Sequence, residues 1–412
     1  MSGIGEQGVS GNFLEEFRME NLICPGFMAA GVASGLKKAG EKDLAVIFSK
    51  IPAKAAGVFT SNKIKAAPVL LDMERIKSGI SQALIVNSGN ANCCTGDKGL
   101  DDAKAMARYA ASGLGISEDL VLVCSTGVVG EPLPIDKIQQ AIPGLIDSLR
   151  PEGVYDLARA IMTTDTVPKT ISKQGKIDGK TFTVIGVVKG SGMICPDMAT
   201  MLCFICTDID ADHELLKNLL HNSTQRSFNR ITIDGDTSTN DTVIVMANGL
   251  SGAVIKSPDH ITYFQNLLDD VLIDLAKQIV RDGEGATKFV EIYVKGALSD
   301  NDAYKIANTV ANSNLVKTAL FGEDANWGRI IAAAGMAKAP LDQGKLNIFF
   351  DDVLMVKNGM GCGKAVESEA TKVLMNPELR ISIDLNMGKG CASVFTCDFS
   401  VEYVKINADY RS

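Results

Sequence analysis

The sequence predicts a mixed α/β fold of two or three lobes, and three observations carry that expectation. Some short runs are apolar at every position; Met201–Cys206 is one, the pattern of a strand covered on both faces, with a turn of buried helix as the alternative. Other stretches repeat apolar residues at helical spacing, as Phe264, Leu267, Leu268, Val271, Leu272, Leu275 and Ile279 do. The two kinds of segment are interspersed through 412 residues, a length that buries a large core and exceeds one ordinary domain.

In chain order, Leu44–Phe48 and Ala56–Thr60 read as short strands, and Pro68–Leu71 and Ala83–Val86 continue the β pattern. Asn87–Asn92 is a polar turn. Asp101–Leu114 is a helix, with Ala103, Met106, Ala107, Ala110 and Leu114 on one face. Leu120–Cys124 is a buried strand that runs into the glycine-bearing turn Ser125–Gly130. Ile135–Leu149 is a helix broken at Pro143-Gly144, and Val154–Met162 is another. Thr163–Lys169 clusters hydroxyls before a proline, as a capped turn does.

Thr181–Val188 is a strand, and a glycine-rich loop separates it from Met201–Cys206. Leu215–Asn229 is helical, and Arg230–Ile233 alternates like a strand. Ser257-Pro258 opens the clearest helix, which Gly283 ends. Phe289–Val294 is a strand. Arg380–Leu385 and Ala392–Ile406 read as a strand pair near the end.

Composition narrows the function classes. Apolar residues at 46% and charged residues at 22% are ordinary for a soluble globular protein. A net charge of −8 argues against a nucleic-acid surface. No run of apolar residues is long enough to span a membrane. Met1–Gln7 lacks the basic and apolar parts of a signal peptide, so a cytoplasmic location is expected. The ten cysteines then read as reduced, mostly buried thiols. Cys203 and Cys206 have redox-motif spacing, but residues three apart on a strand face opposite sides. The histidines are His213, His221 and His260, all in polar stretches, which argues against a Ser-His-Asp triad or a His-rich metal site. Asp234–Thr242 is dense in carboxylates and hydroxyls like a calcium loop, but Gly235 comes too early and no glutamate closes it. No metal and no cofactor are expected.

The stretch richest in chemistry is Lys189-Gly-Ser-Gly-Met-Ile-Cys-Pro-Asp-Met-Ala-Thr-Met-Leu202. On residue type alone, Thr200 at the head of a strand is an ordinary β-former. A second reading follows from its chemistry. A hydroxyl is a weak nucleophile that needs a base, and an N-terminal threonine carries one in its own α-amino group, whose pKa is about 7.7–8.0. The Thr200 hydroxyl could attack the Ala199 carbonyl, shift the acyl group from nitrogen to oxygen, and release two chains when the ester hydrolyses. Ala199 offers almost no side chain to obstruct that attack.

The string closely resembles the self-cleavage site of the ornithine acetyltransferase family, the glutamate N-acetyltransferases of arginine biosynthesis. Ala55-Ala-Gly-Val-Phe-Thr60, Leu84-Ile-Val-Asn-Ser-Gly-Asn-Ala-Asn92, Arg281-Asp-Gly-Glu-Gly-Ala-Thr-Lys288 and Phe321-Gly-Glu-Asp-Ala-Asn-Trp-Gly-Arg329 are similar to the same family. The resemblance implies layered sheets and helices of N-terminal-nucleophile type. It also implies a cut into residues 1–199 and 200–412, and an assembly of two alpha and two beta chains. The implied reaction is ping-pong: Thr200 takes the acetyl group of N-acetylornithine, ornithine leaves, and glutamate collects the acetyl. Whether acetyl-CoA also serves as donor stays open.

Several residues take roles from the resemblance. Thr126 and Gly127 become the oxyanion hole; on spacing alone they are a strand-end turn. Thr166 becomes a substrate contact, with Thr163 or Thr164 as alternatives in register. Lys189 pairs with a carboxylate of substrate or protein, and Glu284 holds a substrate ammonium group. Asn407 and Ser412 make the tail a ligand contact. Asp234–Thr242 becomes a hydrogen-bonded wall of the site. Two rivals remain at this stage: an aminopeptidase or amidohydrolase with the same nucleophile, and a binding protein that never cuts itself.

Overall fold

The computed structural model describes residues 22–195 and 201–409. Ala199, Thr200 and Ser412 therefore lie outside the described residues. Two sheets organise the rest. The first contains β1 (Phe27–Val32), β2 (Leu44–Phe59), β3 (Ile80–Asn90), β4 (Val121–Val128), β5 (Lys169–Ile177), β6 (Lys180–Lys189) and β7 (Leu202–Thr207). The short β8 (Ile231–Thr232) belongs to the second sheet, and β9 (Thr242–Ala247) returns to the first. The order across the first sheet is β4-β3-β2-β9-β7-β6-β5, with β1 paired on β2. Strands β10 (Phe289–Ala297), β11 (Asn347–Phe350), β12 (Val353–Lys357), β13 (Met360–Gly361), β14 (Glu378–Asp384) and β15 (Gly390–Cys397) complete the second, in the order β13-β12-β11-β14-β10-β15-β8.

Helices α1 (Ala67–Arg75), α2 (Gly96–Leu114) and α3 (Ile135–Asp147) pack on one face of the first sheet and α4 (Val154–Ile161) on the opposite face, while α5 (His213–Arg226) and α6 (Pro258–Arg281) cover the face of β6, β7 and β9 that α4 does not. Helices α7 (Asp300–Ala311), α8 (Asn314–Phe321), α9 (Trp327–Met336) and α10 (Lys364–Leu374) belong to the second sheet's core, and α11 (Val401–Ala408) follows β15. Helix α6 packs on β5 and β6 and also reaches β8 and β15, so it joins the two sheets. Ser257 starts it by accepting the His260 N–H at 3.2 Å, and Pro258 needs no partner in that first turn. Its Leu268, Val271, Leu272, Leu275 and Ile279 are fully buried; each such side chain stabilises by about 1.5–3 kcal/mol.

Every residue of β7 is buried, as a strand covered on both faces requires. Cys203 and Ile205 face the core under α5 and α6, while Phe204 and Cys206 face the core under α4. That alternation places Cys203 and Cys206 on opposite faces. The pairing of Val188 with Cys203 and Lys189 with Leu202 puts both sides of the glycine-rich loop into one sheet.

The structure corrects five sequence expectations. Asn87–Asn90 continues β3 against β4 instead of opening a polar turn, with Asn87 and Ser88 buried. Pro68–Leu71 is helix, not strand: Pro68 sits in the first turn of α1, where a missing N–H costs nothing, and Ala67 and Leu71 lie one turn apart on the buried side. Leu44–Phe48 and Ala56–Thr60 belong to one sixteen-residue strand, β2. Its register shifts between Phe48 and Ala53, and it passes from β1 and β3 to β9. Helix α3 is not broken at Pro143, because Ile138, Ile142 and Leu145 anchor one face while Pro143 lies exposed. Ala392–Ile406 is strand only to Cys397; Ser400 then caps α11 by accepting the Tyr403 N–H at 3.3 Å.

Candidate active site

A cavity of about 240 Å³ opens at one end of the first sheet, where β4 and β6 finish and β9 begins. Thr126 and Gly127 come to it from β4, Thr163 and Thr164 from the turn after α4, and Lys189 from the last position of β6. Gly192 and Met193, Ser238–Asn240, Glu284 and Asn407 close the remaining sides.

The end of β4 is shaped for close approach. Gly127 has φ +133°, and a Cβ there would lie 2.3 Å from the Gly89 carbonyl carbon and 2.5 Å from the Asn90 nitrogen. The ladder is irregular at that point, with Asn90 opposite both Thr126 and Val128. Lys189 Nζ donates to Thr163 Oγ1 at 3.0 Å and to Thr126 Oγ1 at 3.4 Å. Accepting from an ammonium leaves the Thr126 hydroxyl's own proton to be donated into the cavity. That is the atom type needed where a carbonyl oxygen gathers charge.

Lys189 is buried and makes no ion pair among the described residues. Burial lowers its pKa, while the Asp165 carboxylate opposes the shift. Behind it lies a buried charge cluster. The Lys169 ammonium sits between Asp165, at 2.7 Å, and Asp282. Burial alone would raise the Asp165 pKa, but the Lys169 and Lys189 ammonium groups outweigh it and hold the carboxyl well below the usual range. Asp165 also accepts the N–H of Gly190 at 2.7 Å and of Thr163 at 3.0 Å. The Asp282 carbonyl accepts the Ser191 hydroxyl at 2.6 Å, and the Ser191 carbonyl accepts the Glu284 N–H at 2.7 Å. The cluster thus fixes the threonine turn, the glycine-rich loop and the Glu284 backbone together.

Glu284 is 6% exposed, and its carboxylate lies so close to Gly192 that a Cβ there would be 2.4 Å from it. Glycine is the residue that this approach permits. Asn407 Nδ2 donates to Glu284 Oε2 at 2.7 Å, which brings α11 to the site. Asp234 clasps the glycine-rich loop from the other side, accepting the N–H of Met193 at 2.5 Å and of Ile194 at 2.8 Å. It thereby holds Met193 in its left-handed conformation, φ +56°. Asn240 Nδ2 ties the wall to β4 through the Ser125 carbonyl and to the turn after β3 through the Ala91 carbonyl, each at 2.8 Å. Asp241 accepts the Met201 N–H at 2.9 Å, while its other oxygen is buried and has no hydrogen-bond partner among the described residues. Burial raises the Asp241 pKa well above the ordinary carboxylate value.

Thr126, Gly127, Lys189, Glu284 and Asn407 therefore meet in one cavity. Thr166 is not on its wall: it is exposed, and its N–H donates to Asp282 at 3.0 Å. Thr163 and Thr164 occupy the wall instead. Asp234 and Asp241 belong to the stretch expected to form a hydrogen-bonded wall of the site, whereas the supporting residues Asp165, Lys169 and Asp282 take no role from the sequence. Asp165 lies inside the threonine cluster and Asp282 directly precedes Gly283-Glu284, which is the only local signal that either gives. Among the described residues no three candidate metal ligands cluster, and no helix is long and apolar enough to cross a membrane.

Comparison with known proteins bears on this arrangement. The chain is 51% identical over 389 residues to the arginine biosynthesis bifunctional protein ArgJ of Geobacter sulfurreducens, covering 94% of this chain and 99% of that protein. It is also 51% identical over 393 residues to the protein of the same name from Syntrophotalea carbinolica, again covering 94% and 99%. The crystal structure of the ArgJ protein from Bacillus halodurans is similar at 43% identity and a TM-score of 0.48, covering 50% of this chain and 97% of that one. The ArgJ family model matches residues 28–412, which include every cavity residue described above. With that span matched and half of all aligned positions identical to named members, the chain belongs to the ArgJ family.

Proposed function

We propose that this enzyme moves the acetyl group of N-acetylornithine to glutamate, by way of an ester on Thr200, in arginine biosynthesis. The observation that carries the reading is that Lys189 and Glu284 line one cavity in an ArgJ family member. A buried ammonium and a buried carboxylate in one cavity suit a small amino acid, which brings a carboxylate for one and an ammonium for the other. Family membership favours transfer to an amino acid over the hydrolase and binding-protein readings.

In this mechanism the chain first cuts itself between Ala199 and Thr200, giving residues 1–199 and 200–412. The freed α-amine of Thr200 takes the hydroxyl proton as the oxygen attacks the acetyl carbonyl. The Thr126 hydroxyl and the Gly127 N–H receive the oxyanion. The amine then passes its proton to the departing ornithine nitrogen. Glutamate reverses the sequence and leaves as N-acetylglutamate. Lys189 holds the substrate carboxylate, and Glu284, steadied by Asn407, holds the ornithine side-chain ammonium. Thr163 and Thr164, which stand on the cavity wall where Thr166 does not, and Ser412 complete the substrate contacts. No step calls for a resident cofactor; acetyl-CoA is the second donor to try. The reading includes a cytoplasmic enzyme assembled from two alpha and two beta chains.

Incubation with N-acetylornithine and no acceptor is expected to add one acetyl mass to the 200–412 fragment, and glutamate to remove it. Initial rates are expected to give parallel lines, and activity to rise with pH as the Thr200 amine loses its proton near about 7.7–8.0. Thr200→Ala is expected to remain one inactive chain. Intersecting lines with no acetylated fragment would mean direct transfer and would sink the threonine mechanism.

A further inference from the structure

Cys93 and Cys94 are the only two adjacent cysteines in the sequence. They occupy the turn between β3 and α2, and their sulfurs are 3.8 Å apart. Cys94 is exposed and Cys93 is buried. The Cys93 side chain belongs to a small apolar cluster with Ala66, Val69 and Ala91, against which Val129 packs. Burial raises the Cys93 thiol pKa, and the Thr239 side chain beside it works the other way. The Cys93 carbonyl accepts the Gly130 N–H at 3.0 Å, and the Ala91 N–H donates to the Val128 carbonyl at 3.0 Å. Val128, Val129 and Thr239 all line the active-site cavity. The pair thus has one sulfur in solvent and the other directly behind the wall that continues from Thr126 and Gly127.

We propose that Cys93 and Cys94 form a dithiol site for one trivalent thiol-seeking atom, with organoarsenicals of the type R–As=O as the ligand class, and that filling it disables the adjoining cavity wall. Soft sulfur ligands select such soft centres. The second bond is intramolecular and so benefits from high effective concentration. The exposed Cys94 S–H adds across the As=O bond, forming S–As and placing its proton on oxygen. The Cys93 sulfur then bonds to arsenic, and its proton leaves with that oxygen as water. Arsenic stays trivalent, and no oxidant or reductant is consumed. To reach the ligand, Cys93 must turn away from Thr239 towards the surface. Its carbonyl is the acceptor for Gly130, so the turn following Gly127 moves with it.

The test uses phenylarsine oxide on the full-length enzyme. One equivalent is expected to add a single C6H5As group, in place of two hydrogens, to the peptide bearing Cys93 and Cys94. The adduct is expected to withstand excess 2-mercaptoethanol and to be stripped by 2,3-dimercaptopropanol. Acetyl transfer is expected to fall about a hundredfold on loading, the scale of a lost oxyanion donor, and to recover on stripping. Cys94→Ser is expected to keep the unloaded rate while losing both the monothiol-resistant adduct and the inhibition. An adduct that maps to Cys362 or Cys391, that 2-mercaptoethanol removes, or that inhibits Cys94→Ser equally overturns the site. A fully loaded enzyme working at its full rate overturns the coupling to the cavity.

Discussion

Lys189 at the cavity and Lys317 under the second sheet are both buried cations whose pKa burial lowers, yet they are satisfied differently. Lys317 donates to Thr396 Oγ1 at 2.7 Å and to the Cys397 carbonyl, with the Cys397 sulfur at 3.9 Å and the Phe399 ring 5.0 Å away. All three of its N–H groups have acceptors. Lys189 has two hydroxyl partners among the described residues, one of them at 3.4 Å, and faces open space. Burial and a displaced pKa are common to both, so neither identifies the functional lysine. Unspent donor capacity beside a cavity does.

The comparison can be broken from several directions. Thr126→Ala is expected to lower kcat by about 10²–10³ with little change in KM, as removal of a donor used mainly in the transition state does. An unchanged kcat with a raised KM would instead make Thr126 a ground-state contact. Lys189→Met is expected to cost about 2–4 kcal/mol in kcat/KM, the scale of truncating one partner of a buried charge pair. Its melting temperature should hold or rise, because a buried cation without a carboxylate partner is removed. Lys317→Ala is expected to do the reverse: about 2–4 kcal/mol less stability in urea unfolding, from a cavity and an unpaired carbonyl, at unaltered kcat/KM per folded molecule. If the two variants exchange these outcomes, donor capacity is the wrong criterion.

The smallest effect concerns Lys169, which has two carboxylate partners. The folded pKa of Asp165 lies below its ordinary 3.8, so its contribution is complete above that value and is lost as pH falls below it. Between about pH 4 and pH 2 the wild type should lose stability more steeply than Asp165→Asn, by about 1.4 kcal/mol per pH unit at most. Equal slopes would show that Lys169 does not depend on Asp165.

How much of this was legible in the sequence depended on range. Continuous apolar runs announced β6 and β7, since a strand buried on both faces has no polar side to disguise it. The opening of α1 was misread because four residues, Pro68–Leu71, are too few to show a helical period. The tail was misread because Val394, Phe395, Val401, Tyr403 and Val404 are all good strand residues, and the Ser400 cap between them was overlooked. Thr126, Gly127, Lys189, Glu284 and Asn407 were found through motif resemblance. The cluster that holds them was not, because Lys169 and Asp282 are 113 residues apart and nothing local links them.

The strand order of the first sheet also bears on how the molecule can be made. Strands β7 and β9, from the second half of the sequence, lie between β2 and β6, from the first. The first sheet cannot be completed from either half alone, although the second is built wholly from strands after residue 200, so residues 1–199 and 200–412 are not independent folding units. Each half alone would expose long unpaired ladder edges, the surfaces through which chains aggregate. Separately produced halves should therefore recover native structure only when refolded together, and slowly, because pairings between distant segments must form before either half is stable.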